Sequence, residues 1–146
     1  MNKSLVIRKV ENEEELMEVF KIRKQVFCDE QRVSEEIEYD EFESIADHFI
    51  VFQNKIPIGC ARCRNLNNAI KLERIALLIP YRKRGYGKFI VKYLIKFAQQ
   101  QNPNSVYLHA QTYLIRFYEK LDFIAIGEEF KEDGLPHIKM VKQANV

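Results

Sequence analysis

One basic glycine loop, Arg82-Lys83-Arg84-Gly85-Tyr86-Gly87-Lys88, constrains this chain more than any other feature. It lies between an apolar strand-like run at residues 70–79 and a stretch of helical periodicity from about residue 88. Glycines let the backbone turn so that consecutive amides point one way, and a following helix adds the positive end of its dipole. Strand, loop and helix together make an anion site that suits a pyrophosphate. Two familiar phosphate loops are excluded. A Walker-type loop needs glycine where Arg82 stands and Ser or Thr where Phe89 stands; a dinucleotide fingerprint needs a third glycine where Ile90 stands.

Around this loop the chain reads as alternating strands and helices. Residues 5–10 predict a first strand. Residues 13–28 predict a helix, because Leu16, Val19, Phe20, Arg23, Val26 and Phe27 recur at helical spacing after a glutamate-rich first turn. Residues 29–47 are acidic and irregular, with a short helix near the candidate N-cap Ser34. Strands at 48–53 and 56–64 flank a hairpin turn at Asn54-Lys55, and residues 66–68 offer a second turn before the strand at 70–79. A helix over 88–101 stops before Pro103. A strand at 106–110, a helix at 112–121, and strands at 123–130 and 137–141 around Asp133-Gly134 complete the chain. The fold class is mixed α/β, one sheet with flanking helices. No repeat, low-complexity tract or Pro/Gly-rich linker divides the 146 residues, so one domain over 1–146 is expected.

Charge is unevenly spread. Net charge is +2, but residues 11–47 hold 14 of the 21 acids and four basic residues, a local −10. Between 82 and 96 stand six basic residues and no acid. Arg84, Lys88, Lys92 and Lys96 share one helical face, where Lys92 and Lys96 read as solvated. The small total and the lack of an aromatic stacking platform argue against a nucleic-acid partner. Cys28, Cys60 and Cys63 form no closed disulfide set, which points to a reducing compartment. Cys60 and Cys63 have metal-like spacing, yet in a strand i and i+3 face opposite sides, so both read as core and no metal is expected. No apolar run approaches membrane-spanning length, and residues 5–7 are too short for a signal peptide's apolar segment; a cytoplasmic protein with no membrane partner is expected.

With its neighbours, the loop resembles that of the GCN5-related N-acetyltransferase superfamily. The motif is Arg82-x-x-Gly85-x-Gly87 after the strand. It is joined by Leu108-His109-Ala110-Gln111 and by Phe117-Tyr118-Glu119-Lys120-Leu121-Asp122-Phe123. Finer matches point to the ElaA-like branch: Val26-Phe27, Glu30-Gln31, Glu38-Tyr39-Asp40, Asp47-His48, and the run from Glu132 to Met140. Asp122 departs from the glycine usual there, which puts the turn after that helix in doubt. Gln111 replaces a frequent asparagine, as the branch does.

The resemblance implies a central mixed, mostly antiparallel twisted sheet flanked by helices, and acetyl-CoA as cosubstrate. It implies that Arg82, Lys83, Arg84, Gly85, Tyr86, Gly87 and Lys88 hold the CoA phosphates. Pantetheine would pair beside Ile75, Ala76 and Leu77, with amides near Leu77 as oxyanion donors and Gln111 at the far wall. An amine would attack the thioester directly and Tyr118 would serve the leaving thiolate. A phenol near pKa 10 is a weaker acid than a thiol near 8.5, so that transfer is uphill by roughly 2 kcal/mol.

The amine must be neutral to attack, and a lysine-like amine is neutral only about one time in 2,500 near pH 7, a cost of ~4.6 kcal/mol. Glu73 is one candidate base, although it can equally pair with Arg74 or Arg62; His137, after a turn that can aim it, is another. Glu30, Asp40 and His137 match branch positions that line the acceptor pocket, and the acidic first third points to a cationic acceptor, a small molecule or a peptide lysine. His48 and His109 read as core or edge histidines, and Cys28 as buried rather than nucleophilic. Rival readings are a non-catalytic acyl-CoA-binding module and a salt-dependent nucleic-acid binder. Monomer and homodimer are both left open.

Overall fold

Three tight turns set the register of the sheet. Asn54-Lys55, Asn67-Asn68 and Asp133-Gly134 each place both residues at positive φ, at 50 and 67°, 52 and 66°, and 53 and 78°. Two-residue hairpin loops of the common kind require that sign, which Asn, Asp and Gly adopt most readily. In this computed structural model, which describes residues 4–144 apart from the side chain of residue 37, the turns join β2 to β3, β3 to β4 and β6 to β7.

The strands are β1 (Leu5–Lys9), β2 (Asp47–Gln53), β3 (Ile56–Leu66), β4 (Ala69–Leu77), β5 (Ser105–Gln111), β6 (Phe123–Glu132) and β7 (Leu135–Lys142). The helices are α1 (Glu13–Arg23), α2 (Glu35–Glu38), α3 (Tyr86–Gln99) and α4 (Ile115–Glu119). Strand order is β1-β2-β3-β4-β5-β7-β6. β4 and β5 run parallel and the other neighbours antiparallel, the mixed sheet the resemblance implies.

Helices cover both faces. Val19 and Ile22 of α1, with Val26, pack on Ile50, Cys60 and Ala76. Ile90, Val91, Leu94 and Ala98 of α3 pack on Phe49, Val51, Cys63 and Leu72 on the other side. Cys60 and Cys63 thus lie buried on opposite faces, as their spacing predicts, and burial pushes the Cys60 thiol up to about 12 and Cys63 up as well. Among the described residues no cluster of three or more His, Cys, Asp or Glu is placed to hold a metal ion, and no helix is long and apolar enough to cross a membrane.

Four local features differ from expectation. The helix predicted over 13–28 is α-helical only to Arg23 and continues as a π-helix over Lys24–Glu30. Its widened end bonds Gln31 N to Val26 O at 3.1 Å and Val33 N to Phe27 O at 2.8 Å. An extra residue per turn leaves no trace in apolar spacing. α3 begins two residues earlier than predicted, because Gly85 at φ 81° turns the chain directly into the helix. The segment 112–121 is a 3₁₀ turn, Thr112–Leu114, followed by the five residues of α4. After α4, Asp122 takes the left-handed conformation (φ 67°) a glycine would supply, and its carbonyl accepts from Gln143 N at 2.8 Å, so the turn keeps its shape.

Candidate active site

The site begins where the sheet splits. Ala69 pairs with Ser105 and Leu72 with Leu108, but beyond that point β4 and β5 continue without pairing. β4 also carries a bulge: Arg62 faces Glu73 and Cys60 faces Ala76, so Ala61 opposes both Arg74 and Ile75. Arg74 sits at φ 52° there, sparsely populated for a non-glycine residue. Leu78 N bonds Ile58 O at 2.9 Å, so by strand alternation Leu77 and Ile75 turn their N–H groups away from β3, into the gap. The gap is a cleft open at its mouth. Ile75 forms one wall and Gln111, Leu114 and Tyr118 another, while Phe27 of the π-helical segment and Gln31, which caps it, roof the cleft. Gln111 Nε2 donates to Gln31 Oε1 at 3.0 Å, tying roof to wall.

β4 leads through a 3₁₀ turn, Ile79–Tyr81, to the glycine loop. No side chain caps α3, so its first-turn amides remain available to an anion. Lys83, Arg84 and Lys88 are exposed there. Tyr86 differs from its assigned place: its ring is buried and its hydroxyl accepts from Gln53 Nε2 at 2.7 Å, so only its backbone faces the loop. Ala76 is likewise buried toward α1. Arg82 is held from two sides. Its Nε donates to Leu77 O at 2.9 Å, and its two terminal nitrogens donate to the Glu30 carboxylate at 2.7 Å each.

Glu30 therefore lies against the phosphate loop and outside the lining of the cleft. Asp40 is also outside that lining: its two oxygens accept from Arg62 at 2.7 and 2.8 Å, and Arg74 approaches at 3.3 Å. Glu38, Asp40 and Glu43 of the acidic first third turn inward to buried arginines, while most of its other acids are exposed. Arg23, wholly buried, donates to Glu38 and to Glu43, the latter at 2.7 and 2.9 Å. Arg62, equally buried, also reaches Glu43 at 3.0 Å. Buried charges persist only when paired in this way.

Glu73 belongs to the same network. It accepts from Arg62 Nε at 2.6 Å and from Arg64 Nε at 2.6 Å, with Lys71 Nζ at 3.4 Å. Burial opposes its ionisation, yet the Arg64 hydrogen bond and the charges of Arg62 and Lys71 outweigh it and hold the carboxyl below its usual range. Such a carboxylate is a poor proton acceptor.

His137, buried on β7, lines the cleft opposite Gln111 in register. Its Nδ1 meets Leu135 O at 2.8 Å. A carbonyl only accepts, so in the neutral ring Nδ1 carries the hydrogen and Nε2 keeps a lone pair. Tyr118 on α4 is buried between Phe117 and Phe123, whose rings meet it edge-on at 5.0 and 5.8 Å. Burial raises its phenol well above the ordinary value. Cys28, half-buried on the π-helical segment, is no thiolate either, since burial pushes its thiol up.

Sequence reading missed Gln31, Glu38, Lys71, His109 and Glu132 as lining residues. Four carried a signal, because Gln31, Glu38 and Glu132 stand inside the quoted branch motifs and His109 inside the Leu108–Gln111 motif; Lys71 carried none.

The acetyltransferase (GNAT) domain family model matches residues 8–144, and the chain belongs to that family. The uncharacterized N-acetyltransferase YjcF of Bacillus subtilis is 39% identical over 132 residues, covering 90% of this chain and 94% of its own. The crystal structure of Escherichia coli ElaA superposes with a TM-score of 0.85 at 22% identity, covering 95% of this chain and 99% of ElaA. A Bacillus subtilis acetyltransferase solved in complex with CoA superposes with a TM-score of 0.71 at 15% identity, covering 97% and 99%.

Proposed function

We propose that this chain transfers an acetyl group from acetyl-CoA to a primary amine by direct attack. The observation that carries the reading is the unpaired edge of β4. Ile75 and Leu77 turn their N–H groups to a gap that no strand fills, and strand-edge amides so placed call for an extended partner. Pantetheine is such a partner. The same strand leads into the uncapped start of α3, where a pyrophosphate is favoured, with Lys83, Arg84 and Lys88 around it. CoA has both parts in that order.

The acceptor first gives up a proton. His137 Nε2 is the better acceptor for it, because Glu73 is engaged by three cations. The neutral amine then attacks the thioester carbon, the N–C bond forms, and the Leu77 N–H steadies the oxyanion. The C–S bond breaks, and the thiolate leaves beside Tyr118. The second amine proton passes to the sulfur and the first to solvent. Three free cysteines, with Cys60 and Cys63 buried in the core, fit a reducing compartment such as the cytoplasm.

The test is release of free CoA thiol from acetyl-CoA across a panel of primary amines. Turnover with any amine supports transfer. Tight acetyl-CoA binding with no turnover on any amine would favour the non-catalytic binding module instead.

A further inference from the structure

Beside the base, β5, β6 and β7 bring three titratable side chains together. Glu132, near the end of β6, receives His109 Nδ1 on Oε1 at 2.8 Å and lies with Oε2 at 3.8 Å from His137 Nε2. His109 is on β5, its ring edge-on to Phe130 at 5.0 Å, and Phe130 stacks on His137 at 6.1 Å. From β4, Lys71 adds a positive charge that acts on Glu132. Glu38 and Glu73, which also line the cleft, are bound by arginines. Glu132 is instead a carboxylate whose hydrogen bond comes from a histidine and whose other oxygen faces the lone pair of His137.

We infer that Glu132, oriented by His109, is a positioning residue that makes His137 the proton acceptor for a cationic amine. The inference rests on the acyltransferase reading above. The amine's N–H bond breaks and its proton moves to His137 Nε2, whose imidazolium then lies next to the Glu132 carboxylate. Opposite charges attract at this spacing, and Glu132 Oε2 stands 3.8 Å from the nitrogen that takes the proton. The amine is left neutral, with its lone pair free for the thioester. Leu135 O holds Nδ1–H throughout, so the ring needs no rotation.

A purely structural role and this one part company over the nucleophile. The enzyme is assayed with acetyl-CoA and two acceptors, an alkyl amine of lysine-like basicity (~10.4) and hydroxylamine, which is neutral near pH 7. Glu132→Gln is expected to lower kcat about 10- to 100-fold with the alkyl amine, less than the roughly 10²–10⁴-fold that general-base assistance supplies in full, because His137 itself remains. Its rate with hydroxylamine and its KM for acetyl-CoA are expected to stay near wild type, which also shows that the variant folds. Glu132→Asp is expected to recover much of the loss, and His109→Gln to show a smaller loss with the same selectivity. Equal loss on both acceptors, or none on either, overturns the inference while leaving the transferase reading in place. The alkyl amine is one that the wild type turns over, and a wild type that acetylates no amine of the wider panel overturns both.

Discussion

Glu30 and Arg82 lie 52 residues apart and meet through two parallel hydrogen bonds of 2.7 Å. The pair joins the end of the π-helical segment to the first residue of the phosphate loop. Both side chains are about one-third exposed, at 31% and 34%, so solvent screens the pair and its net worth to stability is small. Its importance is in aim. Arg82 also grips Leu77 O, so the guanidinium fastens the loop to the strand that would hold pantetheine.

Arg82→Ala is therefore expected to raise KM for acetyl-CoA about tenfold or more, the scale of a lost charge-assisted hydrogen bond, with a smaller effect on kcat. Glu30→Gln is expected to change acetyl-CoA affinity modestly and amine KM not at all, since Glu30 does not line the cleft. Calorimetric titration with CoA and initial rates with varied amine check both. A selective rise in amine KM for the Glu30 variant would restore the acceptor role that charge alone points to.

The network around Arg62 makes stability acid-sensitive. Burial works against ionised Asp40, but hydrogen bonds from Arg62 and from Phe42 N outweigh it and bring the carboxyl down to about 2; Glu43 and Glu73 are lowered as well. A depressed carboxylate contributes stability that is complete above its unfolded value, near 4, and is lost as pH falls through the folded one. Glu38 acts with the opposite sign, because burial pushes its carboxyl up. With three groups against one, Tm is expected to fall as pH drops from about 5 toward 2. Asp40→Asn is expected to be less stable at neutral pH by about 2 kcal/mol, less than for a fully buried pair, and to flatten part of the acid limb. Thermal melts across that pH range read both effects.

The glycine loop, the hairpin turns and the strand-helix order were legible because each rests on local backbone chemistry. Gly85 at φ 81° and Asp133-Gly134 at positive φ sit where such residues must. The Arg74 bulge and the π-helical segment were not legible, since one inserted residue shifts register without altering which residue types alternate. Branch positions and the count of acids pointed Glu30 and Asp40 at the acceptor, yet Glu30 faces Arg82 and Asp40 faces Arg62, because neither signal says which arginine an acid will meet. Arg23 was the readable exception. An arginine recurring at the spacing of an apolar helix face is a sign of a buried ion pair, and Arg23 is wholly buried.

Gly59 fixes how closely β3 approaches β4 behind the cleft. A Cβ added there would lie 2.7 Å from Ala76 O and 2.9 Å from a Leu77 methyl group. The first of these is backbone, which cannot swing aside. Gly59→Ala is expected to destabilise the protein by about 1–3 kcal/mol, as overpacking does. Because Leu77 must shift, KM for acetyl-CoA is expected to rise in the folded protein too. Chemical denaturation and steady-state kinetics separate the two effects, and unchanged values in both would show that β3 and β4 part without harm.

Tyr118 sets the last and most graded expectation. A free phenol is already a weaker acid than a free thiol, by roughly 2 kcal/mol of transfer energy. Burial between Phe117 and Phe123 raises the phenol further, which makes full proton transfer to the departing sulfur still less favourable. What the hydroxyl can supply without transfer is one hydrogen bond to the thiolate, worth on the order of 1–2 kcal/mol. Tyr118→Phe is thus expected to lower kcat about five- to twentyfold, with acetyl-CoA affinity unchanged because the ring and its packing remain. The loss should also shrink with an acyl donor whose thiol is more acidic, since that leaving group needs less help. Rates measured with acetyl-CoA and with a more acidic thioester decide the matter. A loss of 10³-fold or more, insensitive to the leaving group, would assign Tyr118 a complete proton transfer that its burial argues against.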